Sequence, residues 1–151
     1  MEQVIELSSE RATRSLGKRL APLLQPGDFV ALDGDLGAGK TVLVKAVAKA
    51  LGAGEATSPT FAIVHLYEGG RIRLQHLDLY RVTGPAELFA LGFDDLLAEP
   101  AATFCEWAAR GRGALPADRL EIALEVVSEE SRRARCLATG PRASVLLSGI
   151  G

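Results

Sequence analysis

Gly34-Asp35-Leu36-Gly37-Ala38-Gly39-Lys40-Thr41 satisfies every fixed position of the phosphate-binding pattern G-x-x-x-x-G-K-[ST]. Composition alone would produce such a match in roughly 0.5% of chains of this length, so the pattern is informative before its surroundings are read. The chemistry follows from the residue types. Glycines let successive main-chain N–H groups turn inward as a nest for an anion, and the N-terminus of a following helix adds partial positive charge at the same point. Lys40 would reach the β- and γ-phosphates of a nucleotide, and the Thr41 hydroxyl a Mg²⁺ ion. A Gly-rich turn that only caps a helix is the bland alternative. Against it, the apolar run Phe29-Val30-Ala31-Leu32 precedes the loop and a helical stretch from Thr41 to Leu51 follows, which is the strand–loop–helix setting the chemistry needs.

In an open α/β sheet, ligands bind beyond the carboxyl ends of the strands. Two strand-like runs end in acids: Arg71 to Asp78 closes on Asp78, and Ala101 to Cys105 is followed by Glu106, with Trp107 beside it. A carboxylate ending a strand next to the loop strand can hold Mg²⁺ directly or through water, and Asp78 is the better candidate; an aspartate so placed can also do no more than cap the next helix. Glu106 could orient an attacking water, accept its proton or hold the metal, or be only a solvated strand end. Thr60, in the loop Ser58-Pro59-Thr60, has the placement of a switch residue that senses a γ-phosphate through Mg²⁺. His65 and His76 fall on neighbouring predicted strands without a third ligand, which favours structural or supporting roles over a metal site. Arg81 could meet phosphate or a partner, or pair with an acid. Arg132-Arg133-x-Arg135 reads as a solvated hairpin face, with RNA contact the lesser alternative.

The elements that must position these groups are legible in order. Val4 to Leu7 is a first strand, and Ser8 or Ser9 caps a helix in which Ala12, Leu16 and Leu20 form the buried stripe, weakened or ended at Pro22. Pro26-Gly27 turns into the loop strand. The helix after the loop is apolar on most sides, as expected of one packed on a sheet, and stops at Gly52 and Gly54. Phe61 to Tyr67 and Arg71 to Asp78 flank Glu68-Gly69-Gly70 as an antiparallel hairpin. Gly84-Pro85 opens a short helix, Asp94-Asp95 starts another, and Ala101 to Glu106 is a buried strand. Arg110-Gly111-Arg112-Gly113 reads as an exposed loop. Leu120 to Val127 alternates as a half-solvated strand, turned at Ser128 to Ser131 into Arg132 to Ala138. Residues 139–151 read as a weakly specified tail, with a last strand at Val145-Leu146-Leu147.

At 151 residues the chain fits one domain, 1–151, and such a length can bury about 70% of its unfolded surface. A net charge of −2 argues against broad affinity for nucleic acid, so any RNA would be held mostly by a partner. The N-terminus lacks a basic region and long apolar stretch, and no apolar run approaches the ~20 residues that span a bilayer, so a cytoplasmic protein with no membrane partner is expected. Cys105 and Cys136 lack C-x-x-C or His pairing and read as free thiols.

The order of Gly34 to Thr41, then Ser58-Pro59-Thr60-Phe61, His76-Leu77-Asp78-Leu79-Tyr80-Arg81, Glu87-Leu88 with Leu91-Gly92, and Glu106-Trp107 resembles the TsaE (YjeE) family of bacterial ATPases. The resemblance covers most of the chain. It implies an α/β P-loop NTPase, a three-layer α/β/α fold whose mixed sheet has central parallel strands flanked by antiparallel ones. It implies ATP and Mg²⁺ as cofactors, and ATP hydrolysis in support of the N6-threonylcarbamoyl modification of adenosine 37 in tRNA. The implied partners are TsaB and TsaD, on which hydrolysis would occur to sustain repeated turnover, with tRNA reached indirectly through the complex. Residue by residue, Gly34, Asp35, Leu36, Gly37, Ala38, Gly39, Lys40 and Thr41 keep their phosphate-loop roles, and Asp78 and Glu106 serve Mg²⁺ and hydrolysis. Thr60 is the switch, and Trp107 lies near the nucleotide. The chain departs from the family at Asp95, where Glu is commoner.

Rival readings are a GTPase, a small-molecule kinase with Arg110-Gly111-Arg112 as a lid, and a module that binds ATP without hydrolysing it. The GTPase is disfavoured: no Asp is followed by Gly three residues on, and the absence of Asn rules out an N-K-x-D guanine reader.

Overall fold

A computed structural model describes residues 1–55 and 64–151. The predicted switch loop, with Thr60, and the beginning of the strand expected from Phe61 lie outside the described residues. Within them, β1 (Glu2–Leu7), β2 (Phe29–Asp33), β3 (Gly54–Glu55), β4 (Val64–Glu68), β5 (Arg73–Asp78), β6 (Ala101–Glu106), β7 (Leu120–Val126) and β8 (Arg132–Ala138) form one sheet ordered β1-β8-β7-β2-β6-β5-β4-β3. The four central strands β7, β2, β6 and β5 run parallel. Antiparallel pairs flank them, β8 and β1 on one side and β4 and β3 on the other. The expected mixed sheet is therefore observed, including the β4–β5 hairpin.

Helices cover both faces. On one face lie α1 (Glu10–Leu20), α2 (Lys40–Ala50) and α5 (Pro141–Ile150), which bury Leu16, Leu20, Leu43, Val47 and Leu146 against Leu32, Phe104 and Ile122 of the sheet. On the other lie α3 (Pro85–Ala90) and α4 (Phe93–Ala98), where Phe29 and Phe93 meet edge to face at 6.5 Å. Ser9 caps α1 by accepting the Ala12 N–H at 3.1 Å. Gly17, costly in a helix interior by about 1 kcal/mol, is explained by the crossing of α1 and α2: a Cβ there would lie 2.8 Å from that of Ala46.

Three expectations need correction. Residues 139–151 are not a weakly specified tail, and Val145-Leu146-Leu147 is not a strand, because Pro141–Ile150 is a helix. Ala143, Leu146, Leu147 and Ile150 recur at helical spacing and are buried. The helix start is anchored from outside: the Asp118 carboxylate accepts the Arg142 and Ala143 N–H groups at 2.9 Å each, and Arg142 forms a fork with buried Asp28 at 2.8 and 3.0 Å. Second, Arg110 to Gly113 is not simply an exposed loop. Ala108–Gly111 is a 3-10 turn with Ala108 and Gly111 buried, and a Cβ on Gly111 would meet Leu88 at 2.7 Å and Leu79 at 3.0 Å. Third, the strand next to β2 on the acidic side is β6; β5, which carries Asp78, lies one strand further out.

The positions of β2 and β6 create the site. The chain leaving β2 passes to α2 on one face, whereas the chain leaving β6 passes to the 108–111 turn packed on the opposite face. Neighbouring parallel strands whose connections diverge leave a crevice at their carboxyl ends, the place where open α/β sheets bind ligands.

Candidate nucleotide-binding site

The loop between β2 and α2 is shaped by contacts that only glycine permits. Gly34 has φ +146°, and a Cβ on it would lie 2.6 Å from the Leu124 carbonyl of β7. Gly37 has φ +84° in the turn closed by the Ala38 N–H donating to the Asp35 carbonyl at 3.0 Å. α2 then begins at Lys40, so its first N–H groups, which have no partner within the helix, face the crevice end of the loop.

Lys40 is buried, donates to the Gly34 carbonyl, and holds its Nζ 3.8 Å from the centre of the Trp107 ring. Burial is the largest influence on its ammonium and lowers its pKa from the ordinary lysine value, against the opposing pull of Glu106, Asp33, Asp78 and Asp35. The Thr41 hydroxyl donates to the Glu106 carboxylate, 3.1 Å from Oε2 and 3.3 Å from Oε1. Glu106 is buried and is also bonded to Nε2 of His76. Burial opposes the charge on Glu106, but the hydrogen bond and attraction of His76, the Thr41 hydroxyl and the Lys40 charge together hold its carboxyl below the usual range. The carboxylate is therefore an acceptor at neutral pH.

Asp78 and Glu106 are register partners at the ends of β5 and β6. Asp78 is exposed, and its Oδ1 accepts the Tyr80 N–H at 2.9 Å, so it shapes the turn after β5 as well as facing the crevice. Trp107 is the one non-glycine among the described residues with positive φ, +56°. A bulky residue in that region stores of order 1 kcal/mol or more, a cost that clusters at functional sites. Its ring centre lies 5.0 Å from that of Tyr80 with the planes inclined at 58°, and the Arg110 guanidinium lies over both rings.

Asp35, Leu36, Gly37, Ala38, Gly39, Lys40, Thr41, Asp78, Glu106 and Trp107 thus line one cavity of about 250 Å³. Of the expected site residues, Gly34 does not line this cavity but accepts the Lys40 ammonium through its carbonyl, and Thr60 lies outside the described residues. A second cavity, about 510 Å³, lies across the loop and shares Gly37, Ala38 and Gly39 with the first; its wall also includes Ser9, Thr13 and the charged residues Glu10, Arg11, Glu129, Glu130 and Arg132. Residue spacing did not reveal that His76 supports Glu106. The signal was available in its position two residues before Asp78, which puts it on the same side of β5 as the acid.

The fit to a metal nucleotide can be judged from the donors. A hydroxyl and a carboxylate, both hard oxygen donors, stand together at the mouth of a glycine loop beside a buried ammonium, which suits Mg²⁺ shared with phosphate oxygens. Among the described residues no cluster of three or more His, Cys, Asp or Glu could hold a metal without such help. Both cysteines are free and buried, and burial pushes the Cys136 thiol up to about 11, outside the range of a reactive thiolate.

Sequence comparison matches residues 7–134 to the family described as threonylcarbamoyl adenosine biosynthesis protein TsaE. The chain belongs to the TsaE family. It is 35% identical over 143 residues to the tRNA threonylcarbamoyladenosine biosynthesis protein TsaE of Rickettsia felis, covering 93% of this chain and 82% of the relative. It is 36% identical over 135 residues to the protein of the same name from Bacillus subtilis, covering 89% and 84%. The fold matches the crystal structure of Bacillus subtilis YdiB with a TM-score of 0.84 at 30% identity, covering 99% of this chain and 94% of that one. Membership of TsaE accounts for the P-loop α/β architecture. Among the described residues, no helix is long and apolar enough to cross a membrane.

Proposed function

We propose that this chain binds and hydrolyses Mg²⁺-ATP as the ATPase component of the machinery that makes N6-threonylcarbamoyladenosine at position 37 of tRNA. The observation that carries the reading is the convergence of Lys40, Thr41 and Glu106 on one cavity at the carboxyl ends of β2 and β6. Lys40 leaves the Gly34 carbonyl and the Trp107 ring for the β- and γ-phosphates. Thr41 keeps donating its proton to Glu106, which turns a lone pair of its oxygen outward to the cation. Glu106, held ionised by His76, orients the water that attacks the γ-phosphate, and Asp78 would help hold the cation, directly or through water. Mg²⁺, when bound there, neutralises charge on the β- and γ-phosphates. The loop and the first turn of α2 hold the phosphates, Trp107 borders them, and the nucleoside occupies the larger cavity beside Gly37. Thr60 is the switch residue of the segment before β4.

The relatives' names support the tRNA pathway, and homologues of TsaB and TsaD are the proposed partners, with tRNA reached through them. The setting is cytoplasmic. Alone the protein hydrolyses slowly, because the developing γ-phosphate charge is poorly stabilised until docking orders the site, a deficit worth 10³–10⁵ in rate in other P-loop enzymes. The test is reconstitution of tRNA modification with TsaB and TsaD, counting products per TsaD and phosphate released. Omitting this chain, or supplying Glu106→Gln, should stop modification after the first turnovers. Unchanged multiple turnover would return the chain to the small-molecule kinase reading.

A further inference from the structure

The three arginines of Arg132-Arg133-x-Arg135 do three different things. Arg133 pairs with Glu6 at 2.8 Å and Arg135 pairs with Glu125, so both are spent on carboxylates across neighbouring strands. Arg132 is not. Its four hydrogen bonds among the described residues all go to main-chain carbonyls: Nη1 to Ser128 at 2.8 Å, Glu129 at 3.2 Å and Ser131 at 3.0 Å, and Nη2 to Gly37 at 3.0 Å. Three of these acceptors belong to the β7–β8 turn and the fourth to the phosphate loop, 95 residues earlier in the chain.

We infer that Arg132 is a positioning residue for the phosphate loop, fastening the Gly37 carbonyl to the β7–β8 turn so that the loop is held in its anion-binding shape before the ligand arrives. The inference rests on the proposed reading of residues 34–41 as a phosphate site. Its physical basis is the peptide that joins Gly37 to Ala38. The Ala38 N–H is tied to the Asp35 carbonyl and the Gly37 carbonyl to Arg132, so both sides of that peptide are held. Glycines are otherwise the residues with most freedom to lose, and order established beforehand is not lost on binding. The anchor is itself fixed: the Val127 and Ser128 N–H groups donate to the Ser131 carbonyl at 3.0 and 3.2 Å, and the Ser131 N–H to the Ser128 hydroxyl at 3.1 Å. The Arg132 guanidinium also lines the cavity beside Gly37, Ala38 and Gly39, whose wall carries Arg11 and the acids Glu10, Glu129 and Glu130 as well, so its role is the main-chain clasp and not a lone positive charge.

The test is calorimetric titration of the full chain with Mg²⁺-ATP and with Mg²⁺-tripolyphosphate, which carries the phosphates without a nucleoside. Wild type is compared with Arg132→Ala, Arg132→Lys and Arg133→Ala, each well below its melting temperature. Arg132→Ala should weaken both ligands alike, roughly tenfold, the scale of one lost charge-assisted hydrogen bond. Arg132→Lys keeps the charge but not the fork that spans turn and loop, and should recover little. Arg133→Ala should bind both ligands as wild type does. Wild-type affinity in Arg132→Ala, full recovery in Arg132→Lys, an equal loss in Arg133→Ala, or a loss confined to ATP would each overturn the positioning role. A wild type that bound neither ligand would instead overturn the phosphate-site reading itself.

Discussion

Two polar clusters built on buried charges lie at the two ends of β2, and they differ in what could replace their partners. At the start of β2, buried Asp28 is matched by the fork of Arg142, which also donates to the Leu23 carbonyl; the space beside them is about 60 Å³. At the end of β2, Lys40 rests on a carbonyl and a ring, and Glu106 on a hydroxyl and an imidazole, beside a cavity of about 250 Å³. The first cluster pairs full charge with full charge and closes on itself. The second holds its ammonium with partners that an anion can outcompete. Burial of charge is common to both, so burial alone does not mark a site; the exchangeability of the partners and the open space do.

The largest expected effect that sharpens this contrast is on Lys40. Lys40→Ala should abolish measurable Mg²⁺-ATP binding or lower hydrolysis at least about 10²-fold while the protein remains folded, since a buried cation aimed at developing charge acts on the ligand and not on the core. Next is Glu106→Gln, which keeps shape and loses charge: hydrolysis measured by phosphate release should fall about 10²-fold, with nucleotide still bound.

Arg142→Ala should do the reverse. It leaves buried Asp28 with only the Gln25 N–H, at 2.8 Å, among the described residues, and should cost about 2 kcal/mol in denaturant unfolding, the pair being partly exposed on its arginine side, with Mg²⁺-ATP affinity unchanged. A smaller effect concerns pH. The folded-state pKa of Glu106 lies below its ordinary value of 4.5, so its contribution to stability is fully present above pH 4.5 and is lost as pH falls through the folded value. Melting temperature measured across that acid range should fall less steeply in Glu106→Gln than in wild type; identical slopes would mean that the surrounding groups do not favour the charged form.

The two clusters also differ in how far the sequence disclosed them. The loop was legible because its chemistry is local: the residues that bend, charge and ligate lie within eight positions, and the strand and helix on either side are periodic. The ends of β5 and β6 were legible for the same reason, as strand-like runs stopping at Asp78 and Glu106. Strand order was not, since the insertion of β6 between β2 and β5 is decided by packing of the whole sheet, and the expectation that Asp78 ended a strand adjacent to β2 was wrong. The α5 cluster was missed because its determinants are distant. Gly140-Pro141 is the same dipeptide that opens α3 at Gly84-Pro85, but the groups that anchor this helix start are Asp118 and, through Arg142, Asp28, more than twenty and more than a hundred residues away respectively. Similarly, Arg132 looked like one of three solvated charges until the turn folded back on Gly37.

In the proposed function, the buried charges at the end of β2 serve a ligand and those at its start serve the fold. The most direct measurement is a paired one: Mg²⁺-ATP titration calorimetry and denaturant unfolding on wild type, Lys40→Ala and Arg142→Ala. Binding should be lost in Lys40→Ala alone and stability in Arg142→Ala alone. A folded Arg142→Ala that fails to bind, or a Lys40→Ala that binds as wild type does, would contradict it.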